Sequence, residues 1–589
     1  MAVEEPQPKP EPTPSTTINT GGGTYVAGNV DTRGGAFIGR DLIVKVGIPL
    51  ALTLVIAIAM LVVAVNQGWL FAAQIRPVID PLSVEQQKMP PGYFNIAVAP
   101  LDISTAQGNP KNLQQLGSNL SGWMAAYLKG HLPESDASGS LQNALVWAND
   151  LPGVPPIKPP IAPLLSRTDA DLWQNRLNAT LLIYGRLVGD PNNTQLVPEF
   201  AYISPQVSEL PDIDSGHHPF GAPVPIASAD DAATAMLSQQ TQPDLGRRAE
   251  AFVWLITALT QANAKLPEAA LATLQTAQAK IGAEDPSGLK AIFSYYEGLT
   301  ALQIPNLPAA QAAFTAVRDP QQPISGTLQA IATIGLGNYH FLRAQGFFNA
   351  EQAQNAGLAQ CAAAFSGTKL ALGSSSDGPN AGAIPADLPG VSAALQSAED
   401  LYAEADRWLA QADPQQKDPD LQHTRAVAAV MTANAQRLDG EAALYALTAP
   451  DSAPGTTSGT AFSADEQQQA ALLDRAAQQL DTAIEAYTAV AARFEQMQTY
   501  SVQSYALYNL GLAQKARADL YLDSYDDAAH GVPLYKQAAD TFARCSTMSD
   551  RPDKSVHPDK DGYTGLQKRM RCFCDLEQGA VKDTLHELE

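Results

Sequence analysis

The pattern of apolar and polar positions divides the chain into distinct textures. From Val46 to Val65 it reads VGIPLALTLVIAIAMLVVAV, twenty residues without a charge. At about 1.5 Å rise per residue, such a helix crosses the roughly 30 Å hydrocarbon core of a bilayer. Pro49 falls near the first turn, where a missing N–H costs little. The pattern therefore predicts a transmembrane helix over residues 46–65. A cleaved signal peptide fits poorly, because the run is long and no clear small-x-small site follows it.

Between residues 93 and 205, strand-length apolar runs alternate with helical spacing. Tyr93–Leu101 predicts a strand ended by Asp102, and Leu113, Leu116, Leu120, Trp123 and Tyr127 recur at helical intervals. Leu141–Trp147 predicts a second strand. A helix then runs through Leu172, Trp173 and Leu177, capped by Asp169 or Asp171. Thr180–Val188 and Thr194–Ile203 predict a hairpin across Gly189–Asn193. This order suggests a small α/β domain over 93–205, a mixed sheet flanked by helices. Residues 66–92, with Pro77, Pro81, Pro90 and Pro91, read as a linker, and 206–244 as a second one. Beyond residue 245 the chain is rich in Ala, Gln and Leu at helical spacing, which predicts a helical domain over 245–580.

Within that domain, small and large residues recur in helix pairs. Trp254, Ala258, Ala270, Leu274 and Ala277 form one set; Gly298, Ala301, Ala310 and Phe314, with Pro320 near the end, form a better one. Looser copies follow around Ile334–Tyr339 with Tyr402, around Ala483, Tyr487 and Val490, and at Leu510-Gly511 with Ala538 and Phe542. These residues resemble the tetratricopeptide (TPR) family, although its period of about 34 residues is not kept. Ser366–Leu388 and Ala449–Ser463 read as inserted surface loops, and Asp523–Pro533 as a further insertion. The resemblance implies a mainly α fold, a TPR-like α-solenoid whose groove binds protein or peptide segments. The stretches Ile96–Leu101 (IAVAPL) and Ala179–Leu187 (ATLLIYGRL) resemble the amino-terminal αβ domain of periplasmic TolB-type proteins. That likeness implies a fold and no activity.

Residues 1–45 form a tail. Pro, Glu and Thr dominate 1–17, which reads as a disordered leader; Gly23–Val30 is then echoed by Gly35–Leu42. Aromatic and β-branched pairs between glycines favour short strands, and stacking of such rungs between chains would make a homo-oligomer. A Gly-rich spacer is the other reading. Arg33, Arg40 and Lys45 precede the apolar run, whereas Arg76 stands alone just after it. The positive-inside rule then places the N-terminus in the cytoplasm and the C-terminal domains outside, as in a single-pass bacterial membrane protein.

Charge narrows the partners. With 37 basic and 60 acidic side chains the formal charge is −23, which argues against nucleic acid. No phosphate loop, HExxH helix or GxSxG elbow occurs, so no enzyme, cofactor or catalytic residue is assigned. Asp212, Asp214, His217 and His218 form a possible metal cluster, but adjacent histidines seldom face one ion. His557, Asp559, Asp561 and Gly562 imitate a calcium loop, yet its twelfth position is Lys568 rather than Glu. Both clusters read better as solvated loops, leaving no metal site. Among Cys361, Cys545, Cys572 and Cys574, either of the last two could bridge to Cys545, or all could remain free thiols. Cys572-Phe573-Cys574 could also be a redox or metal pair, for which no third ligand or neighbouring base is in sight. The residues together suggest a membrane-anchored TPR-type scaffold for protein partners. The alternative is a transmembrane sensor whose α/β domain binds a small ligand and whose cytoplasmic tail recruits an effector.

Overall fold

The computed structural model of the chain describes residues 88–132, 144–149, 161–203, 216–226, 243–352, 388–448, 462–551 and 562–588, short breaks within them excepted. The apolar run 46–65, the glycine-rich tail and most of the two long loop insertions lie outside the described residues. Among those described, no helix is long and apolar enough to cross a membrane. Gln86–Glu589 form one compact unit, mainly helical with a small sheet.

The sheet is built from β1 (Phe94–Val98), β2 (Asp102–Ala106), β3 (Ala144–Ala148), β4 (Leu181–Gly189), β5 (Thr194–Tyr202), β6 (Gly216–Pro219) and β7 (Val224–Ile226). The strand order is β3-β1-β4-β5-β6; β2 continues along β4, and β7 along β5. The β3, β1, β2 and β4 pairings are parallel, whereas β5 runs antiparallel to β4, β6 and β7. The sheet is thus mixed, as the alternation of strand and helix patterns predicts.

Three features differ from the sequence reading. Asp102 does not end the strand; the chain bends at Ala99–Leu101 and resumes as β2, with Asp102 buried and accepting from Ser104 N at 2.8 Å. The stretch 206–244, expected as a linker, contributes β6 and β7 to the sheet. Their brevity and their Gly, His and Pro content hide them from a periodicity search.

Helices α1 (Pro110–His131) and α2 (Arg167–Leu177) cover opposite faces of the sheet. Phe94, Ile96, Val98, Leu181, Ile183, Phe200 and Tyr202 point to the α1 face, and Ala97, Leu182, Tyr184 and Ala201 to the α2 face, the alternation a strand imposes. Eleven further helices follow: α3 (Pro243–Asn263), α4 (Pro267–Ile281), α5 (Leu289–Gln303), α6 (Leu307–Val317), α7 (Gly326–Gln352), α8 (Leu388–Ala412), α9 (Pro419–Thr448), α10 (Phe462–Met497), α11 (Tyr500–Asp519), α12 (Ala528–Ser549) and α13 (Gly562–Leu588).

Each helix packs on the next in sequence. Contacts between helices two apart run through the odd members: α3–α5, α5–α7, α7–α9, α9–α11 and α11–α13. No comparable contact joins even-numbered helices among the described residues. Small residues set the close crossings. The Phe314 ring of α6 lies over Gly298 of α5 and Gly335 of α7, where an added Cβ would sit 2.6 and 2.5 Å from the ring. Tyr402 of α8 lies likewise over Gly337, and Phe542 of α12 over Gly511. Large residues of even helices thus fill notches in odd ones.

The third difference is the expected insertion Asp523–Pro533. Here α11 runs on into a π turn over Leu520–Ser524, and α12 begins at Ala528, capped by Asp527 and carrying Pro533 near its start. Pro533, the sixth residue of α12, lacks the N–H that an α-helix would bond to the Ala529 carbonyl.

Candidate functional site

The odd helices make a continuous line, and the sheet sits on the first part of it. On β5, Phe200 lies 6.1 Å from Phe252 of α3 and 6.4 Å from Tyr296 of α5, ring centre to ring centre. Tyr202 meets Tyr296 at 6.2 Å, His218 of β6 meets Tyr295 and Tyr296 at 5.9 Å, and Phe220 stacks on Phe252 at 3.5 Å. Twelve of the fifteen residues of α5 are buried in consequence, so this helix keeps no solvent stripe.

Hydrogen bonds fasten this seam. The buried Arg248 guanidinium of α3 donates to the Phe220 and Ala222 carbonyls, both at 2.5 Å, and Ala222 N donates to Ser287 O at 2.7 Å. Between those carbonyls, Gly221 holds φ at 79°, and a Cβ there would lie 2.5 Å from Ser287 O. Only glycine fits that turn. Tyr202 OH donates to Asn263 Oδ1 at 3.1 Å. On the other face of β6, His217 Nδ1 is 2.5 Å from Tyr184 OH, and its Nε2 is 3.4 Å from Asp420 Oδ2 at the start of α9.

Past that point the odd line becomes polar. Asn434, Arg437 and Glu441 recur along α9, and Tyr505, Tyr508, Leu512 and Lys515 along α11, spacings that put each set on one face. Asn434 joins three helices: its Oδ1 accepts from Tyr487 OH of α10 at 2.5 Å, and its Nδ2 donates to Tyr505 OH at 2.9 Å. Arg437 pairs with Glu441. Burial disfavours its charge, but Glu441 and Tyr487 more than offset this and hold Arg437 well above its ordinary pKa. Burial raises Tyr508, with the Glu577 and Glu441 carboxylates adding to the shift. Lys515 Nζ is 3.2 Å from Glu577 Oε2 of α13. Nearby, burial raises Asp519 despite the hydrogen bond from Tyr535 OH and the charge of Lys515.

Glu441, Tyr508, Leu512 and Lys515 are half-buried, so this face still meets solvent. It carries the Arg437–Glu441 and Lys515–Glu577 pairs, with the Tyr508 hydroxyl and the Leu512 side chain between them. Periodicity alone does not flag these positions, because α9 and α11 carry polar residues on several faces.

The sequence-level metal candidates do not assemble. His217 and His218 point to opposite faces of β6, one towards Tyr184 and Asp420, the other towards the α5 tyrosines. Asp212 and Asp214 lie outside the described residues, as do His557, Asp559 and Asp561; Gly562 opens α13 and Lys568 lies within it. Among the described residues, no three His, Cys, Asp or Glu side chains converge. The choice between bridge and free thiols resolves in favour of the bridge: Cys545 of α12 is bonded to Cys574 of α13, Cα–Cα 6.1 Å. Cys572 is disulfide-bonded as well, and Cys361 lies outside the described residues.

One cavity opens in the α/β part, between β1, β4, β5, α1 and α3. It holds about 40 Å³ and is lined mainly by apolar side chains such as Val98, Leu120, Met124 and Leu196. No known family model matches the chain, and no curated protein matches it.

Proposed function

We propose that the protein is a membrane-tethered scaffold of TPR-like helix pairs that binds a protein segment along α9, α11 and α13. The observation that carries this reading is the change along the line of odd helices. Its first half is filled by the protein's own sheet, and its second half presents half-buried polar and aromatic side chains to solvent. In stacked helix pairs the line of first helices forms the inner surface, the usual ligand face of such arrays. The sheet then acts as a plug that leaves the α9–α13 end for partners. The groups there, Glu441, Tyr508, Leu512 and Lys515, favour a segment with mixed polar and apolar side chains.

The tether is residues 46–65, with the N-terminus in the cytoplasm and the helices outside the membrane. The Cys545–Cys574 bond supports that orientation, because disulfides persist in oxidising compartments. Protease protection of intact cells, with a tag at each end, tests it: the C-terminal tag is expected to be cleaved and the N-terminal one protected. Protection of the C-terminal tag would overturn the orientation. The sensor reading calls for a polar pocket in the α/β part. A mainly apolar cavity of about 40 Å³ holds little more than a water-sized group, which favours the scaffold.

A further inference from the structure

A second, chemically different cavity lies at the start of α9, where that helix meets the end of α10. It has a volume of about 470 Å³. Gln422 and Arg425 of α9, Arg493 and Gln496 of α10, and Gln416 of the preceding turn surround it; the short Ala492 side chain leaves the room. No carboxylate lines it, in a chain whose formal charge is −23.

The two guanidiniums differ in how they are held. Arg425 is fixed by Asp406 of α8, Nε to Oδ1 at 2.7 Å and Nη2 to Oδ2 at 3.3 Å. Arg493 has no carboxylate at ion-pair distance among the described residues, and its Nη2 donates to Gln422 Oε1. The Gln422 amide is oriented in turn by the buried Asp413, through Nε2 to Oδ2 at 3.3 Å. Arg493 is therefore aimed by a two-step chain and makes no direct ion pair among the described residues. Burial and the like charge of Arg425 lower its pKa and the Asp406 carboxylate offsets only part of this, a cost that a bound anion would relieve.

We propose that this cavity binds a small hydroxylated oxyanion of sugar-phosphate size. Paired guanidiniums match phosphate or carboxylate oxygens. The Gln416 and Gln496 amides supply both donors and acceptors, which is what hydroxyl groups require. A volume of this order fits a ligand of metabolite size. The site is separate from the α9–α13 face and stands whatever that face binds.

The test is calorimetric titration of the purified full-length chain in detergent micelles with glucose 6-phosphate, gluconate, inorganic phosphate and glucose. Saturable binding of glucose 6-phosphate or gluconate is expected, the stronger of the two identifying phosphate or carboxylate as the oxyanion. Inorganic phosphate should compete, glucose should not bind, and affinity should fall with added salt. Arg493→Gln should weaken binding at least tenfold. Ala492→Leu, at an exposed helical position, should do the same by filling the cavity without loss of folding. Absence of saturable binding by both anions, equal binding of glucose, or affinity unchanged in both variants would overturn the proposal.

Discussion

At the scale of single residues, side chains that serve two neighbours at once hold the helix stack together. Phe314 fills notches at both Gly298 and Gly335, so it locks one helix pair internally and to the next. Phe314→Ala should cost about 3–5 kcal/mol, the usual penalty for emptying such a site. Gly298→Ala should cost about 1–3 kcal/mol through overpacking. Urea midpoints of the two variants check both values. Two titrating groups add opposite pH dependences. Burial, helped by Asp439 and Asp400, pushes the Glu399 carboxyl up from 4.5 to about 7. Its contribution is therefore complete at low pH and is lost as pH rises through that window. Burial and Arg343 push His340 down from 6.5 to about 4, so its contribution is present above 6.5 and is lost as pH falls towards 4. Glu399→Gln should raise the urea midpoint at about pH 7.5 and leave it nearly unchanged at about pH 4, since the carboxyl is then neutral in both states. An equal rise at both values would refute that assignment.

At the scale of elements, the disulfide and the Arg248 seam hold the two ends of the helical region. Cys545 and Cys574 are 29 residues apart, and closing such a loop typically contributes about 2–4 kcal/mol. Cys574→Ser should loosen α13 from α12, read as faster amide exchange across α13 than in the oxidised parent. Arg248→Met removes the donor to two carbonyls, leaving the Phe220 and Ala222 oxygens without it. Exchange over residues 216–226 should accelerate, with α9–α13 unaffected; a uniform acceleration would mean that the sheet is not a separable plug.

Much of this architecture is legible in the sequence. The strong strands announce themselves because their apolar runs are long, and Gly298 with Phe314 carries the small–large signature of close-packed helices. The plug is not legible. It depends on Tyr295 and Tyr296 of α5 meeting Phe200, Tyr202 and His218 from residues far away in the chain. Periodicity reports that α5 is largely apolar but not what covers it. Arg248 and Arg493 look like ordinary surface charges in sequence, because only tertiary contacts bury the first and leave the second without an acid.

At the scale of the whole molecule, the sheet and helices divide the work. The sheet covers the first part of the odd-helix line, and the open part begins where Asp420 meets His217. The excess negative charge lies almost entirely after residue 65, and it keeps such a surface soluble while disfavouring acidic partners on the α9–α13 face. The direct test of the scaffold is a photo-crosslinking side chain placed at Leu512, on the half-buried face of α11, and in parallel at Thr482, exposed on α10. In membranes containing the full chain, irradiation is expected to give discrete polypeptide adducts from Leu512 and none from Thr482. No adduct from Leu512, or the same adducts from both positions, would contradict a binding face on α9, α11 and α13.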